Sequence, residues 1–203
     1  MQLYYSPGAC SLAPHIVLHE LGLKHDLVKV DGKAKKTPDG GDFWAVNSKG
    51  QVPALRLDNG EVLTEGPVIS QYLADQQPGS KLAPAAGTME RYRLQEWLNL
   101  ITSELHKGIG GLFNPALTDD MKKVLRDKMD RPLDWLEQKL AGKSDFLMGG
   151  QFTVADAYLF TVLNWTKMVA IDLNRWPAVK DYRSRIGERP SVQAAMKMEG
   201  LIK

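Results

Sequence analysis

The first apolar run, "QLYY" at 2–5, is short, rich in β-formers and cut off by "SPG", which predicts a strand. Over 11–21 the period changes. Leu12, Ile16, Val17 and Leu21 recur at helical spacing, Pro14 is tolerated near the first turn, and Gly22 supplies a stop. "DLVKV" reads as a second strand, followed by a Lys- and Gly-rich loop and a short helix around 43–46. "PALRLDNGEVLT" predicts two short strands joined by an Asn59-Gly60 hairpin turn. A helix over 67–75, carrying Ile69, Tyr72 and Leu73, closes this half. The order β-α-β, hairpin, helix predicts a small α/β layer on a mixed four-stranded sheet.

The stretch "QQPGSKLAPAAG" has no amphipathic period and is rich in Pro, Gly and Ala, so it reads as a linker. Beyond it the pattern is helical throughout. "TMERYRLQEWLNLITSELHK" is expected to stop at "GIGGLF", where glycines disfavour continuation. A helix over 119–140 is expected to be kinked or divided by Pro132, "FTVADAYLFTVLNWTKMV" is strongly apolar, and two shorter helices fill the remainder. The expected organisation is an α/β domain at 1–78, a linker at 79–87 and an all-helical domain at 88–203.

Composition narrows the class. Of 203 residues, 43% are apolar and 25% charged, and the formal charge of +2 gives no reason to expect a polyanionic partner. "GKAKK" at 32–36 has no interleaved aromatics and reads as a solvated loop rather than a nucleic-acid patch. "MQLYYSPGAC" lacks the pattern of a secretory signal, and "DAYLFTVLNW" falls short of the ~20 residues of a membrane helix. A single cysteine forms no internal disulfide, so a reducing cytoplasm is the expected location. Four histidines show no HExxH and no Cys/His zinc spacing. His15 and His19 are four apart on an expected helix but have no third ligand nearby, so no metal is expected.

Candidate chemistry starts at Cys10. Beside a Pro-Gly turn and at a helix start, it meets unpaired N–H groups and the positive end of the helix dipole, which favour thiolate. Local sequence leaves this reading level with plain packing of a small apolar side chain. "TEGPVI" sets Glu65 and Gly66 at a helix start. There free N–H groups suit a ligand carboxylate and an acidic side chain suits its ammonium, although a first-turn acid needs no function to explain it. Pro53 opens a strand and leaves the backbone of Val52 to pair with an extended ligand; locally its peptide bond is expected to be trans. Asn99, Ser103 and His106 share one helix face at α-helical spacing, followed by Lys107, either lining a cleft or simply facing solvent. In "FTVADAY", Thr153 and Asp156 form a capping box, which removes Asp156 from any catalytic set.

Taken together, "YYSPGACSLAPHIVL", "NSKGQVPAL", "LTEGPVISQYLAD", "RYRLQEWLN", "SELHKG", "FTVADAYLF" and "EGLIK" resemble the bacterial beta-class glutathione S-transferases over nearly the whole chain. The resemblance implies a thioredoxin-like N-terminal domain, an all-helical C-terminal domain and a homodimer with sites between the domains. By position, it implies that Cys10 forms a mixed disulfide with glutathione and that Lys35 holds the glycyl carboxylate. It implies a cis Pro53 and a Val52 backbone paired with the cysteinyl part, with γ-glutamyl contacts at Glu65 and Gly66. Asn99, Ser103, Glu104 and His106 match helix positions bordering the glutathione site, some from a partner subunit, and Lys107 adds positive potential. Two departures stand out: many relatives have Ser at Gly66, and Ile109 with "GGL" replaces an aromatic and a proline.

The expected function is conjugation of glutathione to small electrophiles, with Cys10 and His106 as the catalytic pair and no metal, membrane or nucleic acid involved. A second, Cys10-dependent activity would exchange disulfides through a glutathione adduct, released by a second glutathione because no resolving cysteine exists. The alternatives are a glutaredoxin-like thiol transferase or peroxidase, and a non-catalytic binder of glutathione or apolar ligands on the same scaffold.

Overall fold

The computed structural model describes residues 1–142 and 146–203. Strand β1 (Gln2–Tyr5) lies between β2 (Asp26–Lys29), its parallel neighbour, and β3 (Ala54–Arg56), which runs antiparallel and pairs in turn with β4 (Val62–Thr64). The four-stranded sheet is therefore mixed, in the order β2-β1-β3-β4. Strand periodicity of two sorts its residues. Leu3 pairs with Leu27 on one side and Leu55 on the other, and Leu55 pairs with Leu63, giving one apolar row that faces the main core. Tyr4 and Ala54 face the opposite way, with Val30 and Phe43, into a smaller cluster.

The connection between β3 and β4 differs from the expected two-residue turn. Gly60 N–H donates to the Leu57 carbonyl (3.0 Å) and Leu57 N–H to Glu61 (2.8 Å), so the loop is Asp58-Asn59-Gly60. Only Gly60 has positive φ (+89°), which matches a type I turn followed by a glycine bulge.

Helix α1 (Leu12–Glu20) crosses the main face of the sheet beside α2 (Gly66–Gln76). It is buried from Leu12 to Leu18 rather than along one stripe, because two helices of the C-terminal half cover its outer side. Gly22 ends the helix at φ +61° and turns the chain back toward β2, bringing His25 beside His15 and His19. The expectation that these two histidines lack a third neighbour is thereby overturned; the separation was one of sequence, and the turn removes it.

The Pro/Gly/Ala-rich stretch is stitched to both halves. Leu82 is buried and its carbonyl accepts from Val154 N–H at 3.0 Å. The buried Arg91 donates from Nε to the Pro84 carbonyl (2.6 Å) and from its guanidinium to Asp75. Helix α3 (Met89–Leu100) passes into a π-helical segment (Ile101–His106) and then α4 (Lys107–Gly111). The glycines at 108, 110 and 111 thus continue the helix instead of stopping it. A Cβ at Gly108 would run into Met129 Sδ, so the glycine admits a close helix approach whose packing outweighs its poor propensity.

Helices α5 (Asp119–Lys128) and α6 (Asp130–Leu140) divide at Met129, leaving Pro132 in the first turn of α6, where it is tolerated. The central α7 (Val154–Asn164) is buried on nearly every side. Its capping box is present: Thr153 donates to the Asp156 carboxylate from both its N–H and its hydroxyl, each at 2.8 Å. Asp156 also accepts from Tyr182 (2.6 Å) and Leu147 N–H (2.8 Å). Helices α8 (Pro177–Gly187) and α9 (Pro190–Met198) complete a half in which the described residues form no named strand. Among the described residues, no helix is long and apolar enough to cross a membrane.

Candidate active site

Between β1 and α1 the chain reverses tightly: Ala9 N–H donates to the Ser6 carbonyl and Gly8 takes φ +71°. Two bonds from distant parts of the chain hold this turn. Gly8 N–H donates to Glu199 Oε2 and the Gly8 carbonyl accepts from the Trp165 indole, both at 2.8 Å. Cys10 follows, partly buried, and its thiol donates to the carbonyl of Val52 at 3.2 Å.

The helix-start argument for a Cys10 thiolate is corrected by the structure. Burial pushes the thiol up to about 11, and the negative charge of Glu65 adds to the rise. The N–H groups of Cys10 and Ser11 act in the opposite direction and are outweighed. Cys10 is therefore held as a thiol at neutral pH.

The Val52–Pro53 peptide is cis, against the local expectation of trans and in line with the resemblance. Glu65, directly before α2, has φ +73°, an uncommon conformation for a residue with a side chain, and its carboxylate is ion-paired with Lys49. The first-turn N–H groups of Gly66 and Val68 have no intrahelical carbonyl to reach, and Pro67 has no N–H. Lys35 sits in a loop ordered by short bonds: its N–H donates to Asp31, its carbonyl accepts from Phe43, and Asp31 Oδ1 caps the N–H groups of Lys33 and Ala34.

These pieces surround one cavity of about 680 Å³ between the sheet end and the α3–α4 region. Of the residues singled out in the sequence, Cys10, Lys35, Val52, Pro53, Glu65, Gly66, His106 and Lys107 line it. Asn99, Ser103 and Glu104 do not; all three are exposed. Their expected alignment with His106 assumed α-helical spacing. The π-helical segment bonds i to i+5 instead, so His106 is rotated relative to the face that Asn99 and Ser103 occupy.

His106 is held by groups that sequence reasoning missed. Its Nδ1 lies 2.6 Å from Tyr158 Oη, which lies 3.3 Å from Thr102 Oγ1, and that hydroxyl donates to the Leu98 carbonyl at 2.8 Å. A carbonyl only accepts, so the Thr102 proton is committed to Leu98. Each remaining contact has its own proton only if Tyr158 donates to Thr102 and His106 Nδ1–H donates to Tyr158. The Nε2 of His106 is then a free lone pair. Burial holds the imidazole below its ordinary pKa, with Lys107 acting in the same direction and Glu65 against it. The Trp165 ring packs edge-on against it, 4.8 Å between centroids. Lys49, Thr102 and Tyr158 also line the cavity. Tyr158 stands one turn after the Thr153 cap, and its sequence signal was absorbed by the apolar helix pattern.

The arrangement suits a peptide-like anion with a zwitterionic end: Glu65 and the α2 N-terminus at one side, a strand edge at Val52 in the middle, and Lys35, Lys49 and Lys107 around it. Residues 8–76 match the glutathione S-transferase N-terminal domain and residues 100–190 the glutathione S-transferase C-terminal domain. Glutathione S-transferase GstA of Escherichia coli O157:H7 is 45% identical over 201 residues, 99% of this chain and 100% of that protein. Two solved structures superpose over 100% of both chains with a TM-score of 0.94 and 48% identity. They are a bacterial beta-class glutathione S-transferase from Sphingomonas chungbukensis and a sphingomonad glutathione S-transferase complexed with glutathione. The chain belongs to the glutathione S-transferase family, in its bacterial beta class.

Proposed function

We propose that the cavity binds glutathione in an extended form and that the chain conjugates its sulfur to small electrophiles. The observation that supports this reading best is the convergence of Cys10, the Val52 carbonyl, the α2 N-terminus, Lys35 and His106 on one cavity. Glutathione's γ-glutamyl carboxylate meets the Gly66 N–H and its ammonium meets Glu65. Its cysteinyl backbone pairs with Val52, and Lys35 takes the glycyl carboxylate. This places the thiol near Cys10 and His106. The free Nε2 of His106 accepts the thiol proton as a general base. The thiolate then attacks the electrophilic carbon: a C–S bond forms and the leaving group departs with the bonding electron pair.

Disulfide exchange is the second mode. Cys10 thiolate attacks the glutathione sulfur of a mixed disulfide and releases the other thiolate; a second glutathione attacks the adduct, restores Cys10 and leaves as glutathione disulfide. The high thiol pKa disfavours this mode. Pairing of glutathione's ammonium with Glu65 removes part of the charge that raises it. Conjugation is therefore favoured over a glutaredoxin-like role.

The chain works as a homodimer in the reducing cytoplasm, with its two domains joined across 79–87. Exposed Val68, Met89 and Tyr92 on α2 and α3 offer an apolar interface, and Asn99, Ser103 and Glu104 are left to border a partner's site. The decisive experiment assays Cys10→Ala and His106→Ala with an aryl halide and with a glutathione mixed disulfide. His106→Ala should lose conjugation, and Cys10→Ala should lose exchange and the glutathione adduct seen by intact mass. Unchanged conjugation in His106→Ala overturns its role as base; unchanged exchange in Cys10→Ala overturns the adduct.

A further inference from the structure

A second group of titratable side chains lies outside the glutathione cavity. His15 and His19 stand one turn apart on α1, and the turn at Gly22 returns His25 against both of them. The rings of His15 and His19 are 4.9 Å apart, and His25 meets each at 5.4 Å, close to edge-on. One imidazole nitrogen from each lies within 4.8 Å of the others.

The hydrogen bonds behind the rings determine which nitrogen this is. His15 Nδ1 is 2.9 Å from the Glu199 carboxylate, and His25 Nδ1 is 2.8 Å from the Leu23 carbonyl. Both partners are acceptors, so both Nδ1 atoms carry the proton and both Nε2 atoms present lone pairs. His15 Nε2 lies 3.2 Å from His19 Nε2. The Nε2 of His25 is buried and has no hydrogen-bond partner among the described residues. An unsatisfied buried acceptor costs about 1–3 kcal/mol.

Such an arrangement has the parts of a metal site: lone pairs on the Nε2 atoms of His15 and His25, and a third on His19 Nε2 once the proton it donates to His15 moves to its Nδ1, with a carboxylate and a backbone carbonyl fixing two of the tautomers from behind. We propose that His15, His19 and His25 bind a divalent late first-row transition cation, zinc foremost, at a site separate from the glutathione cavity. Three nitrogens at ~2.0–2.1 Å from zinc in tetrahedral geometry are roughly 3.4 Å apart, so a small inward movement of the rings completes the site. With no carboxylate or carbonyl oxygen among the ligands, the donor set favours zinc, nickel, cobalt or copper over magnesium or calcium. His19 and His25 are only partly buried, which leaves a path for the ion and a fourth position for water.

The test uses untagged, metal-stripped protein titrated with zinc by calorimetry, with bound metal measured after dialysis. The wild type should take one zinc per chain and gain thermal stability from it. Cys10→Ala and His106→Ala should bind zinc as the wild type does. His25→Ala, and separately His19→Gln at a partly exposed position, should weaken binding at least about tenfold and lose the thermal gain, with glutathione binding retained to report the fold. No zinc in the wild type, undiminished affinity in both histidine variants, or loss of zinc in Cys10→Ala would each overturn the proposal.

Discussion

The Nδ1 of His106 and the hydroxyl of Tyr158 are 2.6 Å apart, and through Thr102 that contact ends on the carbonyl of Leu98. A side chain from the central helix α7 thus orients the imidazole that emerges from the π-helical segment. Tyr158→Phe removes the acceptor for Nδ1–H and frees the ring to change tautomer. Conjugation kcat should fall by roughly 10-fold or more, within the usual range for general acid–base assistance, while the KM for glutathione stays close to wild type. Steady-state kinetics with an aryl halide reads both.

The pH profile should carry the same signature. His106, the proposed base, is held below its ordinary value of about 6.5. The lone pair therefore survives acidification further than a free imidazole would. The acid limb of kcat/KM should lie below pH ~6.5 and move upward in Lys107→Ala, since the ammonium of Lys107 is one of the groups depressing it.

Cys10 should be sluggish toward alkylation without ligand. Its reaction with iodoacetamide should rise with pH along a curve centred near the pushed-up value of about 11, far above an ordinary thiol. Glu65→Gln deletes a charge that opposes ionisation, so the curve should shift to lower pH. A wild-type midpoint near pH 8.5 would contradict the burial argument.

Asp156 gathers four hydrogen bonds at the start of α7, including one from the fully buried Tyr182. Asp156→Ala should lower stability by about 2–5 kcal/mol, combining loss of a cap with orphaned buried donors. Urea unfolding should show a lower midpoint with an unchanged slope.

Gly66 leaves room for a side chain: a Cβ there would be 3.7 Å from Pro53 and 4.0 Å from the Cys10 carbonyl. Gly66→Ser adds a hydroxyl donor beside the proposed γ-glutamyl carboxylate. Its dissociation constant for glutathione should fall about 2- to 10-fold, the worth of one net hydrogen bond, as measured by calorimetry.

What could be read from the sequence was local in origin. Alternating apolar positions located the strands, Gly22 marked the end of α1, and Thr153 with Asp156 announced the cap of α7. The cavity-lining residues on the sheet side came from motifs whose spacing survives folding. The failures share a different origin. Gly108 looked like a helix breaker because propensity is local, whereas its contact with Met129 is not. Asn99 and Ser103 were aligned with His106 by an α-helical period that the π-helical segment interrupts. The Cys10 pKa was argued from its own helix, while the outcome was decided by burial and by Glu65, 55 residues away in sequence. His25 became a neighbour of His15 only when the chain turned back at Gly22.

The bond from Gly8 to Glu199 spans 191 residues. A ribosome delivers the cysteine turn early and the glutamate that braces it almost a whole chain later. Until then Gly8 lacks its carboxylate acceptor, and Trp165, which holds the other side of the same peptide, also arrives late. Even if the sheet folds as it is synthesised, the cysteine turn cannot gain this bracing until α9 has docked. Full bracing of the turn is thus deferred in the order of synthesis, and a chain cut short before Glu199 would carry every cavity-lining residue named above without the clasp that holds the turn in place.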